Sequence, residues 1–311
     1  MMHTKKDPGP MRGVGSDLQY VLITPARNEE RYIRSTLDSM AAQTHPPLRW
    51  VIVSDASTDR TDDIVNEYRR HCDWLDLIRM PEHRDRSFAA KVQCVNAGFA
   101  SIKDLHFDVV GSLDADISFG PDYFEFLLGK FGANPRLGVA GTPFVEGGRH
   151  YDYRFTNIEH VSGACQLFRR KCFESIGGYV PIKGGGIDWT AVTTARMMGW
   201  QTRTFTERTC LHHRQMGTAS ASQLVGFYRH GKKDYNLGGH PLWQLCRCVY
   251  QMTRSPYLIG GLCLLAGYSS AWLRRVERPI SPELVRFSQS EQIARLRNIF
   301  WKRRSASGAS S

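Results

Sequence analysis

Apolar residues along this chain fall into short runs, each followed by a stretch in which they recur at helical spacing. Tyr20-Val21-Leu22-Ile23 leads into Thr24-Pro25-Ala26-Arg27-Asn28-Glu29-Glu30 and then into a pattern carrying Ile33, Leu37, Met40 and Ala41. That sequence predicts a strand, a loop and a helix. Trp50-Val51-Ile52-Val53 repeats the arrangement, ending at Ser54-Asp55-Ala56-Ser57-Thr58-Asp59 before a helix through Ile64, Val65 and Tyr68. A third run, Phe107 to Leu113, empties into Asp114-Ala115-Asp116. Buried strands alternating with amphipathic helices predict a mainly parallel α/β sheet, and polar groups at the carboxyl ends of its strands converge on one crevice.

Asp114 and Asp116 are separated by one small residue, and side chains two apart on an extended segment point the same way. Both carboxylates can therefore face one cavity, where hard oxygen ligands suit Mg²⁺ or Mn²⁺. An isolated Asp-x-Asp is ordinarily a solvated turn or a cap, so the weight lies in its company. Further along, Thr209-Cys210-Leu211-His212-His213-Arg214 places two histidines after a predicted strand. Imidazole is a good additional ligand for a Mn²⁺-type site, and adjacent strand residues face opposite ways, so one of His212 and His213 is expected to reach the metal. No Gly-x-Gly-x-x-Gly follows the first strand, which argues against a dinucleotide enzyme, and Walker-type phosphate loops are absent too.

The order of these motifs resembles the family 2 glycosyltransferases, inverting enzymes with the GT-A fold that use a nucleotide-diphosphate sugar and a divalent metal. The resemblance covers residues 18 to about 217. It implies that Pro25, Ala26, Arg27, Asn28 and Glu29 form a nucleotide-binding loop and that Asp55 contacts the base. It also implies that Asp114, with Ala115, lies against the ribose or donor sugar and that Asp116 holds the metal. Gly177-Gly178-Tyr179 and Gly186-Ile187-Asp188-Trp189 are similar to the family's acceptor loop and catalytic-base segment, with Ile187 where the family often has Glu. Asp188 is the expected base. It follows the glycine-rich run Lys183 to Gly186 and precedes a helix expected from Trp189 to Gly199, where its alternative role is that helix's N-cap. The segment Arg86 to Lys91, continuing through Val95-Asn96-Ala97-Gly98, resembles the helix beside the nucleotide, which makes Lys91 a cation for the diphosphate. Arg229 and Lys232, in a second basic cluster, are candidates for a lid over the diphosphate; a charge run is otherwise a solvated face.

Composition is that of a globular chain, 41% hydrophobic and 23% charged over 311 residues. Residues 1–17 lack the apolar core of a signal peptide and are expected to be disordered; 18–240 form the catalytic domain, 241–304 a helical, membrane-associating appendage, and 305–311 a disordered tail. The eight cysteines are scattered without a Cys-x-x-Cys pair, which fits reduced thiols better than disulfides or zinc. Ser255 to Leu273 is uncharged and bracketed by Arg254, Arg274 and Arg275. As a helix it would reach roughly 28 Å at ~1.5 Å per residue, just short of a ~30 Å hydrocarbon core, and its glycines and serines dilute it. Contact with the membrane is therefore favoured over a span, with a buried docking helix as the alternative. After Ser281-Pro282-Glu283, Leu284, Phe287, Ile293, Leu296, Ile299 and Phe300 predict one or two helices studded with Arg286, Arg295, Arg297, Lys302, Arg303 and Arg304. Such a face suits anionic lipid, or is a basic solvated helix packed on the main domain. The net charge of +11 would also suit nucleic acid, but no nucleic-acid-binding signature accompanies it.

The expected activity, from the resemblance, is transfer of a sugar with inversion to a glycan or lipid-linked acceptor hydroxyl, in polysaccharide assembly at the cytoplasmic membrane face. Two rivals remain: a polyprenyl-phosphate glycosyltransferase, and a catalytically silent glycan- or lipid-binding protein on the same fold.

Overall fold

The computed structural model describes residues 18–82, 88–147, 157–182, 185–214 and 223–307. A seven-stranded sheet forms its centre, in the order β3-β2-β1-β4-β8-β6-β9, and a three-stranded sheet, β5-β10-β7, lies at one end. The strands of the large sheet are β1 (Tyr20–Ala26), β2 (Arg49–Ser54), β3 (Leu75–Arg79), β4 (Val109–Leu113), β6 (Leu137–Gly141), β8 (Cys165–Arg169) and β9 (Gln201–Thr204). β5 (Ile117–Phe119), β7 (Phe144–Val145) and β10 (Cys210–His212) make the small one. β1 to β4 are mutually parallel, and β8 runs antiparallel to β4 and β6.

Period-two alternation in β1 and β2 explains why helices cover both faces. Tyr20 and Leu22, with Trp50 and Ile52, pack beneath α1 (Ile33–Ala41), α2 (Thr61–Arg69) and α4 (Tyr123–Ala133). Val21 and Ile23, with Val51 and Val53, enter the opposite layer with α3 (Phe88–Ile102), α5 (Arg170–Ser175) and α6 (Ile187–Met197). Gly98 lets α3 approach β1 closely, since a Cβ there would stand 2.6 Å from Ile23 Cγ2. The architecture is the mainly parallel, helix-flanked sheet expected from the sequence, with a helical C-terminal appendage.

Several boundaries differ from expectation. β1 continues through Thr24, Pro25 and Ala26, because those residues still pair with Ile52, Val53 and Ser54 of β2. α6 begins at Ile187, two residues early, and ends at Met197. α10 (Pro282–Ser307) is one helix, and it runs past Ser305, where a disordered tail was expected. Segments 1–17, 308–311, Arg86-Ser87 and Lys183-Gly184 lie outside the described residues.

The appendage begins earlier than residue 241. α7 (Gln223–Asn236) packs along α9 (Ile259–Leu273), and α8 (Pro241–Met252) packs on α9 as well. Glycines permit these crossings: a Cβ on Gly231 would fall 2.0 Å from the Leu264 carbonyl oxygen, and one on Gly267 would fall 2.0 Å from that of Tyr228. Among the described residues no helix is long and apolar enough to cross a membrane. Of the uncharged stretch from Ser255, Ile259–Leu273 forms the docked helix α9, whose buried positions include Gly260, Gly261, Gly267 and Ala271.

Because backbone, rather than a flexible side chain, faces Gly267, Gly267→Ala is expected to cost about 1–3 kcal/mol through overpacking. Thermal unfolding should show a lowered midpoint. Gly129→Ala, in a helix where nothing lies within 4 Å of the added Cβ, should leave the midpoint unchanged or raise it.

Candidate active site

The site gathers at the carboxyl ends of β2, β1 and β4, three neighbours in the sheet. The loops after β1 and β2 are joined by hydrogen bonds. Asn28 holds a positive φ of 55°, tolerated by asparagine, and its N–H donates to Ser57 Oγ at 3.2 Å while its Oδ1 accepts from the Thr58 N–H at 2.8 Å. The Glu29 N–H donates to Thr61 Oγ1 at 2.7 Å and the Glu30 N–H to Asp59 Oδ2 at 3.0 Å. Partial burial would raise the Asp59 carboxyl, but donors from Thr61 and the Glu30 backbone outweigh it and hold the group below its ordinary range. Arg27 Nη1 lies 3.2 Å from Asp55 Oδ2, so these two residues, both singled out from sequence, form an ion pair at the crevice edge.

At the end of β4, Ala115 is buried and Thr36 Oγ1 of α1 donates to the carbonyls of Ala115 and Ile117, at 2.9 and 2.7 Å. That anchor fixes the turn carrying the two aspartates. β5 follows directly and pairs antiparallel with β10, matching Ile117 to His212. The register brings His212 Nε2 to 3.6 Å from Asp116 Oδ1, and the ring is oriented by a 2.5 Å contact between Nδ1 and the Arg214 carbonyl. His213 faces the other way, its Nε2 at 2.9 Å from Ser118 Oγ. Asp114, Asp116 and His212 each offer a ligand atom, all within 4.8 Å of one another. Two carboxylates and an imidazole form a donor set suited to Mn²⁺.

Charge explains how the cluster is held. Asp116 is 8% exposed, and burial, followed by repulsion from Asp114, raises its pKa, while His212, Arg214 and Lys91 oppose the rise. Lys91, delivered by α3, is hydrogen-bonded to Asp114. Burial disfavours its ammonium, yet Asp114, with weaker help from Asp188 and Asp116, holds its pKa above the ordinary value. Arg214 Nε lies 3.4 Å from Asp116 Oδ2, and the same guanidinium pairs with Glu29. Burial pushes Glu29 up to about 7, with Arg214 opposing and the two aspartates adding to the rise. Arg214 was not singled out from sequence; its adjacency to the histidines was the available signal. A divalent cation fits here on physical grounds, because a buried, mutually repelling carboxylate pair gains most from one.

Asp188 sits in the first turn of α6 and makes no capping hydrogen bond. The capping position belongs to Gly186, at φ 99°. The expected alternative, Asp188 as N-cap, is therefore not what the structure shows. Its carboxylate is close enough to Lys91 to influence it and packs near Gly163, whose added Cβ would meet Asp188 Oδ2 at 3.3 Å. The expected lid residues are carried by α7. Arg229 is exposed on α7, and Lys232 Nζ rests 4.9 Å from the Tyr228 ring centroid, on a regular helix packed against α9. Their neighbour Lys233, not singled out from sequence, lines a cavity together with Asp188.

Comparison with solved structures places this architecture among the GT-A folds. A mannosyltransferase, PcManGT from Pyrobaculum calidifontis in complex with GDP-Man and Mn²⁺, superposes with a TM-score of 0.56 over 89% of this chain and 80% of that one, at 20% identity. S. aureus TarS in complex with UDP-GlcNAc superposes with a TM-score of 0.54 over 87% and 79%, at 15% identity. Residues 21–159, a little under half of the chain, match the model of glycosyl transferase family 2. The probable glycosyltransferase YdaM of Bacillus subtilis (strain 168) is 37% identical over 185 residues, 51% of this chain and 42% of that protein. The poly-beta-1,6-N-acetyl-D-glucosamine synthase of Staphylococcus epidermidis is 24% identical over 170 residues, 48% of this chain and 39% of that protein. The chain thus spans about two fifths of the length of these curated relatives.

Calorimetric titration with Mn²⁺ should separate the candidate ligands. Asp116→Asn is expected to abolish binding and His212→Ala to weaken it at least about tenfold. His213→Ala, whose imidazole bonds Ser118, should leave affinity unchanged.

Proposed function

We propose that the chain transfers a sugar, with inversion, from a nucleotide-diphosphate sugar to a hydroxyl of a glycan or lipid-linked acceptor, in the assembly of a surface polysaccharide. The observation that carries this reading is the meeting, at the ends of adjacent parallel strands, of the Asp114-Asp116-His212 cluster with the Arg27–Asp55 pair, and of Asp188 with Lys91 beside it. Support comes from the nucleotide sugars named in the complexes of PcManGT and TarS and from the polysaccharide synthase among the relatives.

Each residue has a role in this reading. The β1 end, Pro25 to Glu29, and Asp55 cradle the nucleoside, with Arg27 holding the Asp55 carboxylate in place. Asp114 meets the ribose or donor sugar, with Ala115 packed behind. Asp116 and His212 would hold Mn²⁺ or Mg²⁺, which when bound supplies positive charge to the departing diphosphate. Lys91 and Arg214 add fixed cations on either side of the carboxylates, preorganised for the charge that develops on the leaving group. Asp188 accepts the proton of the acceptor hydroxyl as its oxygen bonds to the anomeric carbon and the bond from that carbon to the diphosphate oxygen breaks. One displacement gives inversion.

Asp188→Asn tests the base directly. Transfer to a hydroxyl acceptor is expected to fall by about 10²–10⁴-fold, while calorimetric affinity for the nucleotide sugar stays near that of the parent protein. Retained transfer in this variant would point to an acceptor needing no base, such as a lipid phosphate.

The reading includes work at an anionic membrane surface, on the cytoplasmic face. What supports it is the inverted character of two helices. α8 turns Leu242, Leu245 and Val249 outward while Gln244 and Cys248 are buried, and α9 exposes Ile259, Leu262 and Leu273 while its glycines face inward. Small residues at the crossings with large apolar ones outside is the pattern of helices that meet lipid, and exposed Arg254, Arg274 and Arg275 border the patch. Sedimentation with phosphatidylglycerol vesicles should carry the protein down at low salt. Leu262→Asp combined with Leu245→Asp should leave it in the supernatant; equal sedimentation of parent and variant would remove the membrane from this proposal.

A further inference from the structure

A cavity of about 250 Å³ lies between the catalytic domain and the C-terminal helices, with Asp188, Trp189, Lys233, Asp234, Trp243 and Gln244 in its wall. It shares Trp189, Trp243 and Arg247 with a neighbouring groove of about 700 Å³ that runs along α10. We propose that this cavity is a subsite for a neutral saccharide acceptor, holding the sugar unit whose hydroxyl faces Asp188. The inference rests on the reading of Asp188 as the base and deepens it.

Unmet hydrogen-bonding capacity is the first argument. Gln244 is 1% exposed, and its Oε1 has no hydrogen-bond partner, while its Nε2 is spent on Cys248 Sγ at 3.7 Å. Asp234 Oδ2 is likewise buried without a partner, while its Oδ1 is fixed by Arg247 Nη1 at 2.6 Å. Both orphan atoms are acceptors, and each costs about 1–3 kcal/mol when buried unpaired. A ligand rich in O–H donors removes that cost. Sugar hydroxyls are such donors.

Two indoles are the second argument. Trp189, directly after Asp188, and Trp243, beside Gln244, are both half-buried and both border the cavity and the groove. Aromatic faces with hydrogen-bonding groups around them suit the apolar C–H face of a pyranose ring. Charge is the third. Arg247 is committed to Asp234, and Arg196 in the groove is held by Glu291 at 2.7 Å. In the cavity wall Lys233 and Arg247 stand against Asp188 and Asp234, so its fixed charges balance, which favours a neutral sugar over a lipid phosphate in this place. The groove beyond offers room for further units of the same chain.

Titration of the full chain with neutral oligosaccharides, one to four units of hexose or N-acetylhexosamine, tests the subsite without any turnover. Calorimetry and tryptophan fluorescence are the readouts. Saturable binding is expected, weakened at least about tenfold in Gln244→Leu and in Trp243→Ala and largely kept in Trp243→Phe. Nucleotide and Mn²⁺ affinities should be the same in all three variants, and the unfolding midpoint of Gln244→Leu should match or exceed that of the parent. Where a turnover assay exists, the acceptor KM should rise in the first two variants with the donor KM unchanged. Absence of binding by every oligosaccharide overturns the subsite, as does binding indifferent to both substitutions or binding of polyprenyl phosphate in their place. Loss of nucleotide-sugar binding in the parent protein would instead overturn the transferase reading of the donor side, and the two failures are thereby distinguished.

Discussion

The buried carboxylate pair at the end of β4 is the constraint around which the catalytic half is arranged. Asp114 and Asp116 repel each other, with Asp116 nearly inaccessible and Asp114 partly exposed. Such a pair persists only where stabilising groups are brought to it, and these come from different parts of the chain. α3 supplies Lys91, which can reach because Gly98 lets that helix lie close on β1. The segment after β10 supplies Arg214, and β10 itself supplies His212 through its pairing with β5. The small sheet, which contributes little to the core, is what closes the site: one register, Ile117 opposite His212, decides which of two adjacent histidines faces the carboxylates.

That register also marks where sequence reasoning stops. The strands and their polar ends were legible because buried parallel strands read as continuous apolar runs and because the acidic residues stand at their exits. The β1 boundary was not, since Thr24 and Pro25 look like loop residues yet remain paired with β2. Proline is accepted there because Pro25 is the penultimate residue of the strand. Choosing His212 over His213 needed the β5–β10 pairing, a contact between segments about ninety positions apart in the chain that no local pattern encodes. Arg214 and Lys233 were passed over for the same reason: basic residues beside better-known motifs acquire a role only when the tertiary partner is placed. The basic cluster of α7 shows the converse. Arg229 and Lys232 had the right chemistry for a diphosphate, and the structure places them on a helix packed along α9.

The C-terminal helices obey a different rule from the sheet. Around the sheet, large apolar side chains are inside and small or polar ones are outside. In α9 the glycines are inside with Leu264 and Tyr268, while Ile259, Leu262 and Leu273 are outside. The close crossing with α7 brings backbone against backbone at Gly231 and Gly267, and Tyr235, Tyr268 and Ala271 pack beside it, so dispersion between backbones adds to side-chain burial. The apolar surface left on the outer face is what the proposed contact with lipid would cover, and a helix too short to span can still lie against a bilayer. α10 follows the rule of the sheet: Leu284 and Val285 are buried in the core layer of α6, and the Arg196–Glu291 pair, with Arg295 to Glu159, fastens it further to the catalytic domain.

α8 is where the two regimes meet. Its inward stripe carries Gln244 to the cavity beside Asp188, and its outward stripe carries Leu245 and Val249 to the proposed membrane face. A helix with both duties is under opposing demands. Replacing the buried glutamine by an apolar residue would satisfy the interior, so its retention as an unpaired acceptor is best explained by a partner that arrives from outside. Replacing the outer leucines by charged residues would suit water, so their retention is best explained by a surface that is not water. The same twelve residues of helix, Pro241–Met252, thus set the distance between the proposed membrane plane and the proposed acceptor subsite. At ~10 Å for the diameter of one helix, that distance would place the reacting hydroxyl within a few sugar units of the bilayer. An acceptor built on a lipid anchor would reach it without leaving the surface.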